Sequence, residues 1–163
     1  MKQAMRERAR KHRAPKGASE AIQERLMAED WWAAAFGVAI YRSMESEPAT
    51  EALLADLLAR EVQVAAPMCR DGSYVWGWVD AATTWKKAAH GIWEPTHALL
   101  VAPHDLRLIV VPGMAFDAHG GRLGHGRGHF DRLLAQSRAL LVGLCFENRL
   151  VEAVPMESHD VRM

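Results

Sequence analysis

Cysteine is scarce. Cys69 and Cys145 stand alone, with no Cys-x-x-Cys pair, which argues against a disulfide framework and a cysteine-built zinc site and fits a reducing cytoplasm. Each thiol is expected to behave as a small buried hydrophobe. Long apolar runs are missing too: none approaches the roughly 20 residues that cross a bilayer, so no membrane partner is expected. The basic N-terminus has no apolar core of a signal peptide, and residues 1–16 contain no serine, unlike a transit peptide. No internal repeat or linker is visible. With 163 residues, the chain reads as one domain, 1–163, able to bury a core without disulfides or structural metals. A cytoplasmic monomer is the expectation.

Net charge is also absent, since 20 Lys and Arg balance 20 Asp and Glu. The distribution is uneven. Lys2, Arg6, Arg8, Arg10, Lys11, Arg13 and Lys16 face Glu7 alone within residues 1–16, seven minus one, or +6, and the rest carries −6. A basic arm on a mildly acidic body could be solvated, grip nucleic acid, or close over a phosphate ligand. So charged a terminal segment has little to bury, so residues 2–13 are expected to stay loose without ligand.

Apolar patterning predicts a basic helix over 2–13, stopped by Pro15 and Gly17, then a helix N-capped by Ser19 and running to about Ala35. A buried strand follows at Val38–Tyr41. Thr50 caps a helix whose stripe is Leu53, Leu54, Leu57 and Leu58, and Val62–Ala66 is a strand ending at Pro67. This βαβ order predicts an α/β fold with a mainly parallel central sheet flanked by helices, in a Rossmann-like three-layer architecture. Tyr74–Val79 alternates as a half-exposed strand, whereas residues 80–106 give few periodic signals. Leu106–Val111 and Ala139–Cys145 read as buried strands, residues 129–136 as a helix, and Leu150–Val154 as a last strand. Trp31–Trp32 and the Trp76–Gly77–Trp78 pair are assigned to packing.

The most informative stretch, Gly120 to Arg132, follows a buried strand and opens a helix, where α/β folds place ligands. Gly124, Gly126 and Gly128 lack side chains on alternate residues, letting backbone N–H groups approach an anion. Arg122, Arg127 and Arg132 can grip phosphate oxygens in pairs, and Asp131 offers a hard oxygen suited to magnesium. Neither a dinucleotide fingerprint nor a Gly-Lys-Ser/Thr ending is present. His125 and His129 stand four apart, but His125 precedes the helix, so no transition-metal site is expected.

From Val111–Pro112–Gly113–Met114–Ala115–Phe116–Asp117 through Arg122–Leu123–Gly124–His125–Gly126–Arg127–Gly128–His129–Phe130–Asp131, the chain resembles the 5-formyltetrahydrofolate cyclo-ligases. In that family a "PGxAFD" segment precedes a "RLGxGxGYYD" loop. Lys2 and Arg6 resemble its N-terminal Lys-x-x-x-Arg, Gly91–Pro95 its "GIxEP", and Pro155 with His159–Asp160 its "P…HD" tail. Glu47, with Glu45 as a rival, aligns with its folate-contacting glutamate ahead of Thr50. The usual tyrosine pair is His129–Phe130 here.

The resemblance implies ATP- and Mg2+-dependent closure of 5-formyltetrahydrofolate to 5,10-methenyltetrahydrofolate through a phosphorylated formyl group, with 5-formyltetrahydrofolate and ATP as partners and no nucleic acid. It implies ATP contacts from Lys2, Arg6, Arg122, Leu123, Gly124, His125, Gly126, Arg127, Gly128, His129 and Phe130, with residues 1–16 closing over the nucleotide. Folate contacts fall to Arg42, Glu47, Trp93, His125, Gly126, Arg127, Gly128 and His129. Arg122, Arg127 and His129 would assist the chemistry, and Asp131 and Asp160 would hold magnesium. A relative that binds folate or ATP without turnover is the alternative within the family.

Overall fold

The basic N-terminal stretch forms helix α1 (Lys2–Lys11) in the computed structural model, which describes residues 1–163 apart from the side chain of His90. Arg8, Arg10 and Lys11 occupy its last turn, where cations complement the helix dipole. The expected loose arm is instead seated on the body. Ala9 is buried and Met5 packs beside it, against Met114, Ala115, Leu123 and Val154. Helix α2 (Ala18–Met27) starts from Gly17 at φ 74°, a left-handed conformation glycine adopts without strain. Ser19 is therefore inside the helix rather than capping it, and its hydroxyl accepts the Ala49 N–H at 3.1 Å. The helix stops well short of Ala35. A separate turn, α3 (Asp30–Ala33), brings Trp32 into the core, where its indole N–H donates to Asp56 at 2.8 Å.

Strand β1 (Val38–Ile40), helix α4 (Glu51–Ala59) and strand β2 (Val64–Arg70) make the expected βαβ unit, with β1 and β2 parallel. Thr50 precedes α4 without capping it through its side chain. Its hydroxyl donates to Tyr41 O at 2.8 Å and accepts the Ser43 N–H at 3.0 Å, drawn to the strand end instead. Leu53 and Leu57 are buried, Leu54 and Leu58 half-buried. Pro67 does not end β2. It falls beyond the last β1–β2 pair, where β3 is the one strand paired with β2, and a residue without an N–H is tolerated at such an edge. Asp71 and Gly72, at φ 51° and 79°, make a two-residue hairpin loop into β3 (Ser73–Val79).

The stretch without periodic signals holds a ribbon of β4 (Trp85–Lys87) and β5 (Trp93–Pro95), and then β6 (Leu100–Val101), which adds to β3. Next come β7 (Leu108–Val111), β8 (Ala115–Asp117), β9 (Arg122–Leu123), α5 (His129–Leu134), β10 (Leu140–Gly143) and β11 (Leu150–Val151). The main sheet has the order β10-β7-β1-β2-β3-β6. It is parallel from β10 to β2 and antiparallel at β3 and β6. A second sheet, β11-β8-β9, was not foreseen, because strands of two or three residues are too short for period-2 alternation to show.

Alternation within the parallel strands divides the core. Val38, Ile40, Val64, Ala66, Leu108 and Val110 face Leu26, Trp32, Leu53 and Leu57 of the first helices. Ala39, Ala65, Ile109 and Val111 face the other way, onto Leu133, Leu134 and Trp76. Helices thus cover both sheet faces, giving the three-layer α/β arrangement of a single domain. Among the described residues no helix is long and apolar enough to cross a membrane. Cys69, expected inside, is exposed beside the β2–β3 turn, whereas Cys145 is half-buried and burial pushes its thiol up to about 11.

Candidate active site

The parallel strands β1 and β7 end at Tyr41 and Pro112, which border a cavity of about 560 Å³, the usual ligand position of an α/β sheet. One wall is α1, through Lys2, Arg6 and Arg10. Another is the loop from Arg122 to Asp131. The turn at Met44 and Glu47, Ile92 and Trp93 of the ribbon, and the 157–160 segment complete it. Arg42, Leu123, Gly124, His125, Gly126, Arg127, Gly128, His129 and Phe130 also line it, so the nucleotide, folate and metal residues that the resemblance implies reach one cavity, whereas Arg132 is not among its lining residues and donates to Arg127 O at 3.2 Å. Glu45 is not among the lining residues and Glu47 is.

Gly126 (φ 100°) and Gly128 (φ 65°) are left-handed, and a Cβ on Gly126 would stand 3.1 Å from the Arg6 guanidinium. Arg6 Nε–H donates to Gly124 O at 2.9 Å. The bare loop therefore lets α1 lie against it. His125 is exposed as a residue, but partial desolvation of its ring, with Arg10, Arg122, Arg149 and Arg6 around it, holds it below the usual histidine value. Arg127 is exposed.

Arg122 and Lys2 pair with carboxylates at the charged end. Arg122 is buried, with Nη2 donating to Asp131 Oδ1 at 2.8 Å and Nη1 to Pro112 O at 3.2 Å. Its guanidinium braces the loop helix against the end of β7. Its Nε–H has no partner among the described residues. Asp131 Oδ1 also accepts the Val161 N–H at 3.2 Å. Lys2 Nζ lies 2.6 Å from Asp160 Oδ2 and 3.0 Å from Glu157 Oε1. Desolvation works to lower Lys2, but these carboxylates outweigh it and raise the amine above its usual value. Burial would raise Asp160, yet the Lys2 bond holds its carboxyl below the usual range. Among the described residues no three His, Cys, Asp or Glu side chains gather as a metal cage.

The opposite end is aromatic and less charged. Glu47 is buried, its Oε2 accepting the Met44 N–H at 2.8 Å. Burial pushes its carboxyl up to about 7, against the pull of that N–H and of Arg149. The Arg42 guanidinium lies 4.6 Å from the Trp93 ring and 5.3 Å from the Trp85 ring. Tyr74 stacks on His129 with centroids 4.7 Å apart, and burial together with Glu94 pushes its phenol up to about 12. Trp32 and Trp76 are buried, in keeping with the packing role expected of them.

The whole chain, residues 1–163, matches the model of the 5-formyltetrahydrofolate cyclo-ligase family. The chain belongs to that family. It is 33% identical over 136 residues to the 5-formyltetrahydrofolate cyclo-ligase of Mycolicibacterium smegmatis, covering 77% of this chain and 70% of that protein. The Haemophilus influenzae cyclo-ligase is 32% identical over 137 residues, 76% of this chain and 71% of the relative. The NMR structure of Aquifex aeolicus 5,10-methenyltetrahydrofolate synthetase superposes with a TM-score of 0.86 at 28% identity, over 99% of this chain and 86% of that one.

Two buried polar residues of this cyclo-ligase escaped the sequence reading of roles. Asp117 accepts the Val154 N–H at 2.7 Å and those of His119 and Gly121 at 2.8 Å each. The Val154 bond leads the effects that hold its carboxyl below the usual range. An aspartate ahead of a Gly-Gly pair is a turn signal that could have located it. Arg149 is buried, with Nη1 donating to Ser46 O at 2.7 Å and Nη2 to His12 O at 3.0 Å. Nothing local marks Arg149, because both partners lie more than a hundred residues earlier.

Proposed function

We propose that this chain converts 5-formyltetrahydrofolate to 5,10-methenyltetrahydrofolate with ATP, releasing ADP and phosphate, as a cytoplasmic monomer. The observation that carries this reading, beside family membership, is one cavity with a cation-rich end at α1 and the glycine loop and an aromatic, acid-bearing end at Trp93 and Glu47. A formamide oxygen is a poor leaving group. Transfer of the γ-phosphoryl group to it makes an iminophosphate that the neighbouring N10 amine can attack, expelling phosphate.

Such chemistry asks the protein for alignment and charge neutralisation rather than covalent work. Lys2, Arg6, Arg127 and the backbone N–H groups of 124–128 would take the phosphates, with residues 1–16 closing over the nucleotide. Arg42, Glu47 and Trp93 would orient the pterin, and His129, supported by the stacked Tyr74, would donate toward the formyl oxygen or departing phosphate. Arg122 acts by fixing Asp131.

Magnesium fits the residues present as a nucleotide-borne ion. Asp131 and Asp160 each take their backbone and cation hydrogen bonds on one oxygen, and magnesium is commonly held by one or two carboxylates with phosphates and water. When bound it would supply charge neutralisation on the phosphate oxygens.

The test is the absorbance of the methenyl product as 5-formyltetrahydrofolate, magnesium and ATP are mixed with the protein. ATP-dependent growth that Asp131→Asn abolishes is the expected outcome. Asn is the better probe than Ala, because it keeps an acceptor beside buried Arg122. Tight ATP and folate binding without growth would make the chain a non-catalytic relative.

A further inference from the structure

The cavity's two ends are carried by segments far apart in sequence, and one side chain bonds to both. Arg149 ends a short turn, Glu147–Arg149, and is only 8% exposed. Its guanidinium donates to His12 O, one residue beyond α1, and to Ser46 O, one residue before Glu47. Neighbouring Asn148 strengthens the grip on the same end of α1, donating to Arg13 O at 3.0 Å. The Phe146 ring, 5.4 Å from the guanidinium carbon, supports the group from its face. Arg149 makes no ion pair among the described residues, and its Nε–H is buried without a partner. A buried arginine held by two carbonyls, with one N–H left over, is a costly way to fill space. It is a good way to hold two backbones at a fixed separation, because the planar fork fixes both donor directions at once.

We propose that Arg149 is a positioning residue that couples the two ends of the cavity, tying α1 to the Glu47 turn so that nucleotide and reduced pterin each strengthen binding of the other. This rests on the reading that α1 meets the nucleotide and Glu47 the pterin. On this proposal α1, seated on the body through Met5 and Ala9, also has a released arrangement. Docking carries His12 O onto Arg149, and Arg149 in turn sets Ser46 O and the turn whose Met44 N–H binds Glu47. Whatever seats α1 therefore orders the pterin contact, and linkage requires the reverse effect to be equal.

An electrostatic consequence accompanies the mechanical one. Tyr41 at the end of β1 feels Glu47, Glu51 of α4 and Cys145 after β10, and Arg149 is the cation that acts on Glu47 itself. Arg149 favours the ionised carboxylate that burial opposes, and an ionised carboxylate is the form that accepts hydrogen bonds from pterin N–H groups at both oxygens.

Calorimetric titration of 5-formyltetrahydrofolate with and without a non-hydrolysable ATP analogue and magnesium tests the coupling in the parent chain, Arg149→Gln, Arg149→Lys and Glu47→Gln. In the parent the analogue should tighten folate binding about tenfold, within the usual range of site-to-site coupling. Arg149→Gln should abolish that gain and move the midpoint of the pH dependence of folate binding upward. Arg149→Lys keeps the charge without the fork, so it should preserve the midpoint but recover the coupling only in part. Full coupling with an unmoved midpoint in Arg149→Gln overturns the proposal, as does absence of coupling in the parent. Glu47→Gln with unchanged folate affinity overturns the underlying reading instead. Should Arg149→Gln fail to fold, hydrogen exchange of residues 44–47 in the parent decides: protection on adding the ATP analogue alone supports the coupling, and unchanged exchange refutes it.

Discussion

Replacing Glu47 by glutamine should make this protein more stable and less able to bind its folate. The carboxyl is buried and raised from 4.5 to about 7, so holding it ionised costs the fold about 3 kcal/mol relative to the neutral form. Glutamine keeps an acceptor for the Met44 N–H, and the charged bond it gives up is already contained in the raised value. The net gain at pH 8 is then about 3 kcal/mol, or roughly 6–12 °C in Tm for a chain of this size. Because the folded value is raised, the protonated carboxyl is the form the fold prefers. Its contribution is complete below about 4.5 and lost as the pH rises through about 7. The Tm difference between Glu47→Gln and the parent should accordingly be large at pH 8 and shrink to a degree or two near pH 5. Thermal melts by circular dichroism at both pH values measure it. A difference that does not change with pH, or a variant less stable at pH 8, would refute the reasoning.

Asp117→Ala strands the buried N–H groups of Gly121 and Val154, so about 2–6 kcal/mol should be lost, seen as a large fall in Tm. As the Asp117 carboxyl is held below its usual value, its stabilisation is present above pH 3.8 and fades as the pH falls through the folded value. Lys2→Met removes a part-buried pair with Asp160 worth about 1 kcal/mol. Hydrogen exchange of residues 2–11 should quicken and the KM for ATP should rise, and unchanged exchange would show that Met5 and Ala9 alone seat the helix. Trp93→Ala releases Arg42 from the nearer of its two aromatic faces. At about 1 kcal/mol per contact, the KM for folate should rise about fivefold, with kcat little altered.

How legible each part was depended on how far its partners lie along the chain. Val38–Ile40 and Leu108–Val111 announced themselves because strands covered on both faces are apolar at every position. The glycine loop was legible because its ordered sequence of residue types resembles one family. Ser19 and Thr50 have the chemistry of helix caps, but their hydroxyls serve Ala49 and Tyr41, contacts that local patterning does not contain. Arg122 looked like a free phosphate donor, yet its guanidinium is engaged by Asp131 and Pro112. The strands at 115–117, 122–123 and 150–151 derive their identity from one another, and none is long enough to show a period of its own.

The position of β7 has a consequence for synthesis. It lies between β1 and β10, although it is made after β2, β3 and β6. While the chain emerges, β1 can pair with β2 along one side as soon as both are out. Its other side, at Val38, Ala39 and Ile40, stays open until residues 108–110 arrive. A nascent chain paused before that point presents an unpaired apolar strand edge, the kind that recruits a second chain. That exposure belongs to a stretch of translation, and it ends with the strand that also delivers Pro112 to the cavity.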